Sequence, residues 1–80
     1  MKVSVYKTYK YENLFLYVSE AEGLSRVPES LLNKFEDRCL VLNFELKIGG
    51  KLAKENPKIV LNNIDRSGYH LQLPPVAGAT

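Results

Sequence analysis

The most regular segment of the chain is residues 39–47, CLVLNFELK. Its side chains alternate with a period of two, which predicts a β-strand that places successive residues on opposite faces. One predicted face consists of Leu40, Leu42, Phe44 and Leu46, and the other of Val41, Asn43, Glu45 and Lys47. The pair Gly49-Gly50 then predicts a turn, because glycine adopts backbone angles closed to other residues.

Two further strand patterns lie upstream of this segment. Residues 1–7 alternate, with Val3 and Val5 on one face and Ser4 and Tyr6 on the other, and residues 14–18, LFLYV, are apolar on both faces. Such a two-sided apolar run is typical of a strand covered on both faces. Between them, residues 8–13, TYKYEN, have the length of a hairpin loop. The chain is therefore expected to begin with an antiparallel hairpin.

A first helix is predicted to begin at Pro28, where the missing N–H costs nothing and the fixed φ is already helical. Val27, Leu31 and Phe35 recur at a spacing of four residues, and Leu32 lies beside them. This spacing forms one apolar stripe. We expect the stripe of this short helix to face the sheet.

A second helix is predicted to begin with Asn56 as its N-cap and Pro57 at its first position. Gly68 suits the left-handed residue that follows a helix. Residues 69–73, YHLQL, then alternate as a last strand, and Pro74-Pro75 would end it. The apolar stripe of this helix is Val60, Leu61 and Ile64.

The order β-β-α-β-α-β predicts a single small α/β domain with helices packed on a mixed sheet, an α/β sandwich. Residues 1–75 form this domain, and residues 76–80 are expected to be a flexible tail. The first and last strands are expected at the sheet edges, open to strand addition by a partner.

Composition limits the classes of function. The net charge of the 80 residues is +2, too small to indicate nucleic-acid binding by itself. The single cysteine, Cys39, excludes an internal disulfide. Because neither a signal-peptide pattern nor an apolar run of membrane-spanning length is present, the cytoplasm is the expected compartment.

Several segments of the chain resemble the YcgL family of small bacterial proteins. They are Tyr6-Lys7, Leu16-Tyr17-Val18, residues 24–29 (LSRVPE) with Leu31-Leu32, residues 51–53 (KLA), and residues 68–75 (GYHLQLPP). The resemblance implies a compact α/β sandwich, found mainly in gammaproteobacteria, with no assigned enzymatic activity. It also implies a gene beside that of ribonuclease D, which hints at RNA metabolism. This chain departs from the family pattern at Gly49-Gly50 and in stopping at Thr80, before an acidic helical tail.

Residues suited to catalysis are few. The only histidine is His70, so a nucleophilic Cys39 would need it as base, and we expect Cys39 to be a small buried hydrophobe instead. No metal-ligand spacing is present, and Gly49-Gly50-Lys51 lacks the earlier glycine and the hydroxyl of a phosphate-binding loop. We predict no catalytic, metal or cofactor site. The alternative is a small hydrolase of nucleic-acid fragments, with His70 as base and Glu45 or Arg26 in support.

The leading hypothesis is a binding or adaptor module for a protein or single-stranded RNA. Tyr9, Lys10 and Tyr11 interleave rings with a cation at the hairpin loop, an arrangement that stacks bases and holds phosphates. Arg26 either pairs with a neighbouring carboxylate or contacts an anionic group of a partner. His70 and Gln72 share one face of the last strand. If a helix covers this face, His70 is a hydrogen-bonded structural residue. If the face is open, His70 and Gln72 form a polar surface together with Asn43 and Glu45.

Overall fold

The computed structural model describes residues 1–50 and 56–73. Along the chain its elements are β1 (Lys2–Lys7), β2 (Phe15–Ser19), α1 (Glu29–Lys34), β3 (Cys39–Glu45), α2 (Pro57–Ser67) and β4 (His70–Gln72). The single small domain of helices and sheet is as predicted. Three expectations, the KLA segment at 51–53, the Pro74-Pro75 stop and the flexible tail at 76–80, lie outside the described residues.

The four strands form one sheet in the order β3-β1-β2-β4, and each neighbouring pair is antiparallel. The prediction of a mixed sheet is wrong for these strands. Helix α1 does connect two strands that run in the same direction, β2 and β3, but β1 lies between them, so parallel strands are never neighbours. The expected edge position of β1 is also wrong, since β1 is central, whereas β4 does lie at an edge.

Two apolar clusters lie on opposite faces of the sheet, each named for the helix that contributes to it. The cluster on the α2 face consists of Val3, Val5, Tyr17, Leu46, Val60 and Ile64, with Phe15, Phe44 and Leu61 around it. The cluster on the α1 face consists of Leu14, Leu16, Val18, Val27 and Phe35, with Tyr6, Leu24, Leu31, Leu32, Tyr69 and Leu71 around it. Leu16 and Tyr17 are adjacent in β2 and belong to different clusters, which follows from the alternation of side chains along a strand.

Helix α1 begins one residue later than the sequence predicts. Pro28 has an extended ψ of 147° and is the N-cap rather than the first helical residue. Its carbonyl accepts hydrogen bonds from the backbone N–H groups of Leu31 and Leu32, both at 3.0 Å. The predicted apolar stripe is confirmed in part: Val27 and Phe35, which flank α1, are buried, and Leu31 and Leu32 within α1 are partly buried against the same cluster.

Helix α2 begins and ends as predicted. Asn56 Oδ1 accepts a hydrogen bond from Lys58 N at 2.9 Å, which caps one of the unpaired N–H groups of the first turn. At the other end Gly68 has φ 91°, and its N–H donates to Ile64 O at 2.8 Å. Val60 and Ile64 are fully buried against the sheet.

Strand β3 departs from strict alternation. Val5 pairs with Leu42, but the next residue, Tyr6, pairs with Leu40, so Val41 is the additional residue of a β-bulge. Leu42 consequently lies on the α2 face with Val5, whereas Leu40 lies on the α1 face with Tyr6. The prediction that Leu40 and Leu42 share one face is therefore wrong, because the bulge interrupts the alternation between them.

Candidate functional site

The Tyr9–Tyr11 segment lies in the loop between β1 and β2 and projects into solvent. Tyr9 is 72% exposed and Tyr11 is 48% exposed. The ammonium of Lys7 lies 5.2 Å from the centroid of the Tyr9 ring, a cation–π contact. An exposed ring with a cation beside it has the chemistry to stack a base next to a phosphate.

The carboxylate of Asp37 fixes this loop from the segment that follows α1. It accepts hydrogen bonds from the Thr8 hydroxyl and, at 2.9 Å, from the backbone N–H of Tyr9. The Thr8 hydroxyl, helped by the Tyr9 N–H, holds the pKa of Asp37 below its ordinary value despite some opposing desolvation. Lys10 Nζ lies 3.5 Å from Glu36 Oε2. Carboxylates therefore border the rings and weaken the positive potential that a phosphate backbone requires.

Arg26 follows β2 and joins the loop before α1 to the end of α2. Its guanidinium donates to the carbonyl oxygens of Asp65 at 3.3 Å and Arg66 at 2.9 Å, and it lies 3.4 Å from Glu22 Oε1. These carbonyls belong to the last turn of α2, where the helix dipole favours a cation. The predicted pairing with a neighbouring carboxylate is confirmed, and the backbone carbonyls are additional partners.

The glycine after α2 is required by its backbone angle and by its neighbour. A Cβ added to Gly68 would overlap the Cβ of Arg26 and lie 3.0 Å from its Cδ and Nε. Gly68 thus lets the loop that carries Arg26 approach the helix end closely enough for its hydrogen bonds. The LSRVPE and GYHLQL segments of the sequence meet at this contact.

His70 lies on the covered face of β4. It is 8% exposed, and its Nδ1 is 2.8 Å from Asn63 Nδ2 in α2. The ring of Tyr17 meets it edge to face at a centroid distance of 5.7 Å, and the Tyr17 hydroxyl donates to Gln72 Oε1 at 2.7 Å. Since α2 covers this face, His70 is buried and contacts Asn63 and Tyr17, as expected for a covered strand.

The alternative polar surface is not formed. Glu45 and Asn43 belong to β3, at the opposite edge of the sheet from His70, and Ser4 donates a hydrogen bond to Asn43 Oδ1 at 2.6 Å. Two strands separate β3 from β4, a distance of about 14 Å at normal strand spacing. The same separation keeps Cys39 of β3 too far from His70 of β4 for the two to pair. Cys39 is half-buried instead of fully buried as expected.

The predicted site residues do not converge in one place. The Tyr9–Tyr11 loop precedes β2 and Arg26 follows it, so the two lie at opposite ends of that strand. Among residues 1–50 and 56–73, no cluster of His, Cys, Asp or Glu has the arrangement of a metal site. Within the same residues no helix has the length and apolarity to cross a membrane.

An open groove of about 530 Å³ lies between α2 and the residues after β3. It is lined by Met1, Ile48, Lys58, Ile59, Leu61, Asn62 and Asp65. None of the residues that the sequence predicts as a site lines this groove. The geometry therefore does not gather His70, Arg26 and Glu45 into the concave site that the hydrolase alternative requires.

The sequence-based candidates omit the surface of the β3 edge. Leu40, Val41 and Leu42 are consecutive, apolar and 47%, 42% and 45% exposed. They are exposed because β3 is an edge strand and because α2 contacts β2 and β4, which lie toward the opposite edge of the sheet. The CLVL run is visible in the sequence, but alternation assigns half of it to the core. Only the strand order and the bulge identify it as surface.

Comparison with known proteins gives the family. The model of the YcgL domain matches residues 3–75. The chain belongs to the YcgL family. This match covers both helices and all four strands apart from Lys2, so it includes every element described above.

Three relatives from Pseudomonas species illustrate the similarity. YcgL domain-containing proteins of Pseudomonas putida strain GB-1 and Pseudomonas entomophila strain L48 are each 44% identical over 72 residues, which is 90% of this chain and 74% of the relative. The YcgL domain-containing protein of Pseudomonas fluorescens strain SBW25 is 39% identical over the same shares. The YcgL domain is a family of unknown function.

Proposed function

We propose that this YcgL domain is a non-catalytic protein-binding module that recruits an extended segment of a partner protein to the β3 edge. The single observation that carries the proposal is the exposed apolar run Leu40-Val41-Leu42 on an edge strand. An edge strand presents unpaired backbone groups, and an added strand gains main-chain hydrogen bonds while its side chains enter apolar contacts.

The position of the helices supports this proposal. Helix α2 contacts β2 and β4, so the α2 face of β3 is left partly open at Leu42, and Leu40 is exposed on the α1 face. A partner strand beside β3 would cover apolar side chains on both faces of the sheet at once. The bulge at Val41 makes the edge irregular, a feature that protects sheets from indiscriminate pairing. A partner strand must therefore fit around the additional residue.

The proposal is tested by selection from a library that displays fragments of the source organism's proteins. The bait is the wild-type domain, the Leu40→Lys/Leu42→Lys variant, or the Ile59→Lys control, which charges an equally exposed apolar position on α2. We expect fragments that bind wild type and control but not the edge variant, and that shift or protect the backbone amides of residues 39–45. Fragments that bind the edge variant as well as wild type would place recognition elsewhere and refute the proposal.

A second candidate function is the binding of single-stranded RNA by the Tyr9–Tyr11 loop. The observation that favours it is the ammonium of Lys7 beside the exposed ring of Tyr9. The carboxylates of Glu36 and Asp37 next to this loop oppose it. Protein binding at β3 is therefore the favoured function.

A further inference from the structure

We infer that the segment bound at the β3 edge has an apolar centre flanked at both ends by acidic side chains. This inference rests on the proposed function and adds the chemistry of the partner. It follows from the distribution of charge along β3, whose middle is the apolar run Leu40-Val41-Leu42 and whose ends are bordered by cations.

The first end of β3 carries two cations. Arg38 directly precedes the strand and is exposed, and Lys7 of β1 pairs with Cys39. One N–H of the Arg38 guanidinium donates to Phe35 O, out of the five donors that the group carries. Two carboxylates lie at this end: Asp37 accepts hydrogen bonds from Thr8 and Tyr9, and Glu36 lies 3.5 Å from Lys10 Nζ. With Lys10 included, three cations face two carboxylates, so this end has a small positive excess.

The second end of β3 is more positive. Lys2 of β1 pairs with Glu45, and Lys47 follows the strand, both with exposed side chains. The α-amino group of Met1 forms an ion pair with Glu45, the carboxylate at this end. Three positive groups thus surround one carboxylate that is already paired. Acidic side chains of a bound segment would meet uncompensated positive charge here.

The same charges disfavour a second copy of this chain as the occupant. Antiparallel pairing of two β3 strands sets the first end of one copy against the second end of the other. Arg38 of one copy would then lie close to Lys47 of the other at both ends of the pair, and like charges that meet across a strand pair destabilise it. An acidic segment of a different protein meets attraction at the same places.

The length of the strand sets the spacing of the acidic groups. Cys39–Glu45 is seven residues long, which is about 20 Å from the first to the last residue at 3.3 Å each. A matching segment has acidic residues separated by about six positions, with alternating apolar residues between them. This pattern defines the probe peptides.

The experiment uses three synthetic peptides with one common valine–threonine centre and with glutamate, serine or lysine at both ends. Binding to the full chain is followed by peptide fluorescence anisotropy, and its location by amide hydrogen exchange at residues 39–45. We expect the glutamate peptide to bind at least about tenfold more tightly than the lysine peptide, and its advantage to shrink as salt is raised. The charge-reversal variant Lys2→Glu/Lys47→Glu should abolish or invert this preference.

The matched control is Lys34→Glu/Lys58→Glu, which makes the same change in net charge on the two helices. It should leave the preference intact. Equal protection of β3 by all three peptides would overturn the acidic inference and leave strand addition standing. Protection by none of them would overturn both. A concentration-dependent dimer of the chain alone, with β3 protected, would overturn the inference in favour of self-pairing.

Discussion

Replacing Gly68 with alanine tests the contact between the end of α2 and the loop that carries Arg26. Gly68 has φ 91°, and an added Cβ would overlap the Cβ of Arg26. The substitution therefore introduces backbone strain and a steric conflict together. The loop relieves the conflict only by moving away from the carbonyls of Asp65 and Arg66, which removes two hydrogen bonds.

The magnitude follows from these contributions. A side chain in the left-handed region costs about 1–2 kcal/mol, and the stiffer unfolded chain returns about 0.4–1 kcal/mol of that. Loss of two partly exposed hydrogen bonds from Arg26 adds about 2 kcal/mol. We expect Gly68→Ala to lower the free energy of unfolding by about 3 kcal/mol, which lowers Tm by roughly 12–24 °C in a domain of this size.

Thermal and urea unfolding followed by circular dichroism measure this loss. Gly23→Ala is the matched control, because Gly23 also has a positive φ of 57° but nothing lies within 4 Å of its added Cβ. That control should lose only about 1 kcal/mol. In an Arg26→Gly background the cost of Gly68→Ala should fall to the same small value. Equal costs for the two glycines, or an unchanged cost in that background, would refute the reasoning.

Three further predictions concern the loop and the core. The Thr8 hydroxyl holds the pKa of Asp37 below its ordinary value of 3.8. The stabilisation by this carboxylate is therefore present above its unfolded pKa and is lost as the pH falls through its folded pKa. When the free energy of unfolding is measured as the pH is lowered, Asp37→Asn should lose less stability than wild type. Phe35→Ala should cost about 3–5 kcal/mol in urea unfolding, because Phe35 is fully buried, and a loss under 1 kcal/mol would contradict its central place in the core. Salt-sensitive binding of single-stranded RNA should disappear in Tyr9→Ala/Lys10→Ala if the loop binds RNA, and retention of binding would remove the loop from consideration.

The elements of the fold could be predicted from the sequence because their signals are local. Asn56, Pro57 and Gly68 set the limits of α2 by capping and backbone preference alone. The hairpin and the apolar stripe of α1 likewise follow from residues close to one another in the chain. The predicted start of α1 differs by one residue from the observed one, because a proline also suits the extended N-cap that precedes a helix.

The arrangement of the strands could not be predicted, because it depends on pairs distant in sequence. Val3 pairs with Phe44, and no short pattern indicates that β3 joins β1 instead of the other edge of the hairpin. The extra residue at Val41 likewise follows from the register of β3 against β1. These two features together turn an apparent core segment into an exposed edge.

For the candidate site, the sequence supplied residue types but not their partners. A carboxylate partner for Arg26 is one of the two alternatives that the sequence offers, but the carbonyls at the end of α2 lie about 40 positions away in the chain. Whether His70 is buried depends on which face α2 covers, and its contact with Asn63 of α2 results from this long-range packing.

The central position of β1 has a consequence for synthesis of the chain on the ribosome. β1 can pair with β2 once the short loop between them has been made. Its pairing with β3 requires synthesis as far as Glu45, the partner of Lys2. Val3 and Val5 are covered only after Val60 and Ile64 of α2 have been synthesised. An early nascent hairpin therefore exposes both an unpaired strand side and apolar side chains, the features that make folding intermediates prone to aggregation.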